Sequence, residues 1–409
     1  MRFLNFTGAL RHRNFLYFYI GYAVSLTGSW IQTITTAWLV YRITGSGFWL
    51  GAVTFAGQIP AFIFAPIGGV LADRCSRKNL VLTTQVISMI QAFLTGVLFM
   101  TGMLYIEVIV LLEIFLGMVK AIDVPVRQAF IIDMVEDKDD IHNAIALNSI
   151  LFNSARLIGP LIAALIISRA GEGWSYFING VSFTAVVFSL LIMEIKEKIL
   201  SPVDSPLAGE LLEGFDYAFN NAPVFTLIAA GAFFNFLPVM VLYPVFAHDI
   251  LSGNSGTYGL LVSASGMGAL LGALFLANRR SCLGLGSAVS IAAFSLGAGT
   301  LVLSFSSSVS AACILCFSVG GATMILNAGS NTILQRICDP AKRGRVLSLW
   351  IMAAMGASPL GSFAGGMAAN CFGIQPTYLI AGLIGLGGVI ILYFYIPSVN
   401  KALAENVIC

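Results

Sequence analysis

Long runs of apolar residues, separated by short polar connections, fill this chain. Twelve of them cover 15–40, 49–71, 80–101, 106–132, 143–168, 174–194, 223–248, 257–277, 284–305, 310–333, 346–369 and 376–396, and almost every charge lies between them. A helix crosses the hydrocarbon of a bilayer with about 20 apolar residues. Each run therefore predicts one spanning helix, and the chain as a whole predicts an all-α integral membrane protein with twelve transmembrane helices.

Composition agrees. The 409 residues are 58% hydrophobic and 10% charged, where a soluble domain carries roughly 25% charged residues. Lipid must be the solvent for most of the surface. A net charge of +2 offers no basic field for nucleic acid. Lys and Arg in the connections set orientation. Arg2, Arg11, Arg13, Arg74, Arg77, Lys78, Lys138, Lys196, Lys198, Arg279, Arg280, Arg336, Lys342, Arg343, Arg345 and Lys401 fall on one side, and only Arg42 and Arg169 on the other. An even number of spans with both ends on the charged side puts both termini in the cytoplasm. The first run is long, lacks a small-residue cleavage site and follows Arg11, His12 and Arg13, so it is expected to stay as a span. A glycosylation sequon at Asn5 would face the cytoplasm and go unused.

Other chemistry is sparse. The 7 cysteines are scattered. Cys313 and Cys316 have CxxC spacing but sit in an apolar run without a second pair, so they read as small buried hydrophobes. His12, His142 and His248 are far apart in sequence. No metal site or cofactor is expected, and without a GxxxxGK[ST] motif no ATPase and no intrinsic enzyme.

The longest hydrophilic stretch, 195–222, lies at the middle. Ser201-Pro202 and Ser205-Pro206 read as linker, and Leu207–Phe219 as an amphipathic surface helix. This predicts an N-terminal six-helix bundle over 1–195, a cytoplasmic linker over 196–222 and a C-terminal six-helix bundle over 223–409. The halves echo each other near an offset of 200: Leu147-Asn148-Ser149 with Leu347-Ser348-Leu349, and Gly159-Pro160 with Ser358-Pro359. Weak internal symmetry of this kind marks secondary transporters.

After the second run the chain reads Gly69-Val70-Leu71-Ala72-Asp73-Arg74-Cys75-Ser76-Arg77-Lys78. This resembles the G-x-L-a-D-R-x-G-R-K signature of the major facilitator superfamily, and the resemblance extends over essentially the whole length. Gly69 would allow close helix approach, Asp73 would face the N-terminus of a neighbouring helix, and Arg74, Arg77 and Lys78 would hold the loop in the cytoplasm. Ser76 departs from the signature's Gly. The second-half copy, Ala277-Asn278-Arg279-Arg280, has no acid. Asp123-Val124-Pro125-Val126-Arg127, the run Asn143 to Pro160, Glu213-Gly214 to Pro223, and Arg343-Gly344-Arg345 with Pro359-Leu360-Gly361 resemble the branch that holds enterobactin, siderophore and macrolide exporters. The resemblance implies the major facilitator fold, two pseudo-symmetric six-helix bundles around a central cavity, alternating access and export by proton antiport. The drug-antiporter pattern is incomplete: Glu113 stands where that pattern has Arg, and Ala163-Ala164 follow where it has two Gly.

Charges inside the runs are the sharpest local signal. Run 4 carries Glu107, Glu113, Lys120, Asp123 and Arg127. Glu113, Lys120 and Arg127 fall within about 40° of one another around a helix, with Asp123 a further 40° round. Asp123 and Arg127 can pair at i,i+4. Arg156 lies near the middle of run 5, with Ser149 and Asn153 on its side. Each such charge costs about 2.5–3.5 kcal/mol at the centre of a span, so these must face one another or a wet cavity. Two readings stay open: ion pairs that staple helices 4 and 5, or a site where Lys120 and Arg156 attract an anionic substrate. Glu113 is the candidate proton carrier, since burial in apolar surroundings favours the protonated carboxyl, and Asp123 joins it in the coupling set. Ser25, Ser29, Gln32 and Thr36 form one stripe on run 1, either interhelical glue or, for Gln32, a substrate contact. Asn235, Asn327 and Asn331 are similar candidates. Gly268/Gly272 and Gly361/Gly365 have GxxxG spacing for close packing.

The sequence thus predicts a monomeric secondary transporter of the bacterial inner membrane, with protons, the bilayer and a small organic molecule, siderophore or drug-like, as its partners. A lysophospholipid flippase, an importer of an anionic solute and a non-transporting sensor or scaffold are the alternatives.

Overall fold

The computed structural model describes residues 8–135, 137–194, 215–279, 281–339 and 342–407. Most of the expected linker, including Lys196 and Lys198, lies outside these residues, as does Arg280. Of the expected surface helix, only residues 215–219 are described, and they are helical.

Among the described residues, twelve helical segments of membrane length follow one another. In chain order they are α1 (Arg13–Thr44), α2 (Gly47–Arg74), α3 (Arg77–Met100), α4 (Ile106–Asp133), α5 (Ile141–Ala170), α6 (Glu172–Ile192), α7 (Ala222–Ile250), α8 (Ser255–Ala277), α9 (Leu285–Leu303), α10 (Val309–Ile337), α11 (Arg343–Phe372) and α12 (Ile374–Val407). Ten are long and apolar enough to cross a membrane. The other two, α1 and α4, are as long but too polar, and they are the helices with the Ser/Gln/Thr stripe and the row of charges. Each expected span lies within or beside its helix. The last one was expected to end at 396, yet α12 continues to Val407 through Pro397.

Side-chain caps start several helices. Ser76 Oγ accepts from the Asn79 amide of α3, Asn221 from Val224 of α7, and Asn254 from Gly256 and Thr257 of α8. Such caps satisfy amides that have no partner in the first turn. Ser76 thus makes the turn in which the signature prefers Gly.

The chain divides into two compact units. One comprises Met1–Thr44 and Ala56–Val203, the other Gly45–Phe55 and Asp204–Cys409. The beginning of α2 therefore groups with the second unit rather than with the rest of its own helix. There, Gly47 and Gly51 lie against Gly366 and Ser362 of α11, and Ser46 donates to Asn370 at 2.9 Å.

The same pairing recurs inside each unit. Helices α1/α5, α1/α6, α3/α4 and α3/α6 pack in the first, and α7/α11, α7/α12, α9/α10 and α9/α12 in the second. The turns repeat as well. Gly171 between α5 and α6 has φ 88°, and Gly373 between α11 and α12 has φ 86°, a backbone region that only glycine adopts without strain. The first unit's core gathers Phe15, Phe18, Tyr22, Phe130, Leu147 and Leu190. Large apolar side chains such as Phe188, Ile291, Ile314 and Phe394 stand exposed on spanning helices, where lipid takes the place of water.

Candidate functional site

The stripe on α1 is one of three. Helix α3 buries Thr84, Ser88, Gln91 and Thr95, and α6 buries Ser175, Asn179, Ser182 and Ser189, again at helical spacing. These stripes meet. Gln32, only 4% exposed, donates to Gln91 Oε1 at 3.1 Å and accepts from Asn179 at 2.7 Å. Ser25 donates to Gln85 at 3.3 Å, and Thr36 shares a hydrogen bond with the Tyr176 hydroxyl at 3.2 Å. Gly21 and Gly28 let α1 close on Ser189 and Ser182 of α6. Small and polar residues hold membrane helices together in this way. The sequence leaves Gln32 open between interhelical glue and substrate contact; here both ends of its amide are engaged by neighbouring helices. Sequence reasoning missed the stripes on α3 and α6; their 4-3-4 and 4-3-7 spacings were the available signal.

The seam runs into the charges of α4. Asp123 accepts from Thr84 Oγ1 and from Gln85 Nε2, both at 2.9 Å, and from Arg127 Nε at 3.0 Å. The Arg127 guanidinium stacks over the Tyr22 ring, 4.5 Å from its centroid, a favourable contact for a cation leaving water. Asp123 is thus matched by one cation and two further donors.

The signature after α2 forms a second cluster. Arg77 pairs with Asp133 of α4 at 2.9 Å, more loosely with Asp73 at 3.5 Å, and donates to the Ala72 carbonyl. Lys78 donates to the Met193 carbonyl at the end of α6 at 2.6 Å. Asp73 and Arg74 are exposed, and the described partner of Asp73 is Arg77, four residues on, rather than a helix N-terminus. The close-approach role expected of Gly69 is corrected. A Cβ there would meet open space, whereas one on Gly68 would fall on the Ala121 carbonyl and Pro125 of α4.

Deeper in the first unit, α2 and α4 approach through Gly57 and Gly117, and the Glu113 carboxylate lies over Gly57. Lys120, two turns further along α4, is exposed but within electrostatic reach of Glu113, and so is the Tyr176 phenol. Among the described residues no cation comes within ion-pair distance of Glu113. Arg156 on α5 is partly buried, one turn beyond Asn153, whose amide donates to the Ser149 carbonyl at 2.8 Å.

In the second unit, Asn235 and Asn327 exchange hydrogen bonds at 2.8 and 3.3 Å between α7 and α10. Asn331 accepts from Gln335 at 2.6 Å on its own helix. Just after Asn235 the regular helix of α7 stops at Phe236, resumes as a short 3₁₀ turn at Met240 and ends in a π turn, Phe246–Ile250. Pro238 lies in the break and seats on Gly365, the Phe236 carbonyl lies on Gly361, and Tyr378 donates to the Val239 carbonyl at 2.9 Å. The Gly361/Gly365 pair thus accommodates the break. Gly268 and Gly272 admit α10 at Phe317 and Gly321, the close contact their spacing predicts. No cluster of potential metal ligands occurs among the described residues.

Comparison with known proteins adds to this geometry. The profile of a family described as transmembrane secretion effectors matches residues 6–407. The staphyloferrin A transporter of Staphylococcus aureus is 24% identical over 397 residues, 95% of this chain and 98% of that protein. The enterobactin exporter of Shigella flexneri is 25% identical over 275 residues, 66% of this chain and 64% of that protein. Among solved structures, the nucleoside transporter NupG superposes with a TM-score of 0.72 at 14% identity, over 93% of this chain and 98% of that one. At that identity the likeness speaks for the fold.

Proposed function

Because the chain belongs to the transmembrane secretion effector family of the major facilitator superfamily, a family of membrane transporters, we propose that it exports a siderophore-like organic acid in exchange for protons. The observation that carries the substrate class is the near full-length likeness to a staphyloferrin A transporter. The likeness to an enterobactin exporter supports the direction. The protein works as a monomer in the bacterial inner membrane, with both termini in the cytoplasm. The concentration of Lys and Arg in alternate connections supports that topology.

In this reading the charges of α4 divide by role. Asp123, held by Arg127, Thr84 and Gln85, anchors α4 to α3 and links the proton path to the conformational motif of Asp73, Arg74, Arg77, Lys78 and Arg127. Glu113, lying over Gly57 without a paired cation among the described residues, takes up and releases the proton. In the first unit, Lys120 and Arg156 attract the anionic groups of the substrate and Asn153 offers it a hydrogen bond; in the second unit, considered by itself, Asn235, Asn327 and Asn331 are the polar candidates. The break in α7 beside Asn235 supports this placement, since discontinuous helices mark the sites of secondary transporters. Alternating access moves the site between the two faces. Each proton entering down 100 mV supplies about 2.3 kcal/mol.

Inside-out vesicles test the proposal. Given a hydroxycarboxylate siderophore in the outer medium and energised by an acid interior, vesicles with the wild-type protein should accumulate it. Lys120→Ala and Arg156→Ala should abolish accumulation while the protein remains in the membrane at wild-type level. Full accumulation in both variants would remove the anion site. No accumulation by the wild type of either hydroxycarboxylate or catecholate compounds would remove the substrate class.

A further inference from the structure

A groove of about 310 Å³ opens between α5 and α6 at the end of the first unit where Lys and Arg are scarce. Its walls are apolar: Ile162, Leu165 and Ile166 from α5 and Ile178 from α6, with Arg169 and Trp174 at its mouth. The spacing explains the shape. Residues 162, 166 and 169 share one face of α5, and 174 and 178 one face of α6.

The two cations at this end are treated differently. Arg42 is engaged by Glu172 at 2.7 Å, which also neutralises the first turn of α6. Arg169 is exposed, and among the described residues no carboxylate pairs with it. Trp174 is 52% exposed and lies beside the Phe177 ring, with centroids 6.1 Å apart. Tryptophan favours the level where headgroups meet hydrocarbon. An exposed groove on a spanning helix pair contains lipid rather than water, and here it presents an unmatched positive charge at headgroup level above an apolar channel.

We propose that this groove is a binding site for one anionic phospholipid, with the phosphate on Arg169, an acyl chain along Leu165, Ile166 and Ile178, and Trp174 against the glycerol region. The site is separate from the transport path and holds whether or not the chain moves a siderophore.

Native mass spectrometry tests it. Wild-type protein is exchanged into micelles holding equal amounts of phosphatidylglycerol and phosphatidylethanolamine, and the retained lipid is counted. One headgroup contact with an arginine predicts about fivefold preference for the anionic lipid at this site. Arg169→Ala should lose that preference, so that phosphatidylglycerol falls from about five-sixths of the lipid held at this site in the wild type to about half in the variant. Ile166→Trp, which fills the groove and leaves the charge in place, should reduce retention of both lipids. Arg169 is exposed and Ile166 is half-buried in the groove wall, and unchanged elution and unfolding temperature confirm the folded state of the variants. Equal phosphatidylglycerol retention by wild type and Arg169→Ala would overturn the proposal. So would unchanged retention by Ile166→Trp, or a dimer that covers this face without lipid.

Discussion

Replacing Asp123 by Ala removes the acceptor on which three donors converge. Thr84 and Gln85 each lose a 2.9 Å bond, and Arg127 loses its partner at 3.0 Å. The two charged side chains are only 11% and 13% exposed, so the stranded guanidinium cannot simply turn to water. Breaking one partner of a buried pair costs about 3–5 kcal/mol. Unfolding entropy of about 2.1 cal/mol/K per residue gives about 0.9 kcal/mol/K for 409 residues. The expected fall in Tm is therefore about 3–6 °C, read by intrinsic fluorescence in detergent. Asp123→Asn keeps an acceptor for Thr84 and Gln85 and should fall by less. The double variant Asp123→Ala/Arg127→Leu removes both charges and should recover part of the loss, because an apolar pair can replace a buried ion pair at little cost. A single variant within 1 °C of wild type, or a double variant that loses the sum of both singles, would refute the view that this pair ties α4 to α3 and α1.

Three further outcomes follow from the geometry. Gln32→Leu should lower stability by about 1–3 kcal/mol, the range for two interhelical hydrogen bonds in a membrane, and leave the KM for transported solute unchanged; a raised KM at unaltered stability would make Gln32 a substrate contact. Gly68→Ala should destabilise the protein, because the added methyl meets the Ala121 carbonyl, whereas Gly69→Ala should be neutral or stabilising by up to about 1 kcal/mol from helix propensity; the reverse order in thermal unfolding would contradict the packing of α2 on α4. Burial pushes the Cys338 thiol up to about 11, opposed in part by Arg343, so its thiolate appears only as pH rises toward that value; maleimide should label exposed Cys75 quickly at pH 7 and Cys338 slowly, with the Cys338 rate climbing at higher pH.

Much of the architecture was legible in the residues because lipid imposes a simple rule: a spanning helix must be long and apolar. The two helices that break the rule, α1 and α4, were also visible, through Gln32 and through Glu113, Lys120, Asp123 and Arg127. The i,i+4 pair of Asp123 and Arg127 and the GxxxG contacts followed from helical spacing alone. What spacing does not give is which neighbour a face meets. The stripes on α3 and α6 have the same period as the one on α1, yet only the packing of α1, α3 and α6 turns them into one seam and engages Gln32 at both ends. A single step round the helix decided between Gly68 and Gly69, since about 100° separates a face against α4 from open space. Run 7 reads as one uninterrupted span over 223–248, yet the helix breaks at Pro238, and the seat that Gly361 and Gly365 provide for it lies about 120 residues away along the chain.

The proposed function turns on the exchange of solute for protons at Glu113. Proteoliposomes containing the purified protein, a pH-sensitive dye inside and an imposed siderophore gradient measure it directly. The wild type should move protons opposite to the solute, and Glu113→Gln should move solute without a dye response. Solute flux with no proton signal in the wild type, or an undiminished signal in Glu113→Gln, would contradict that exchange.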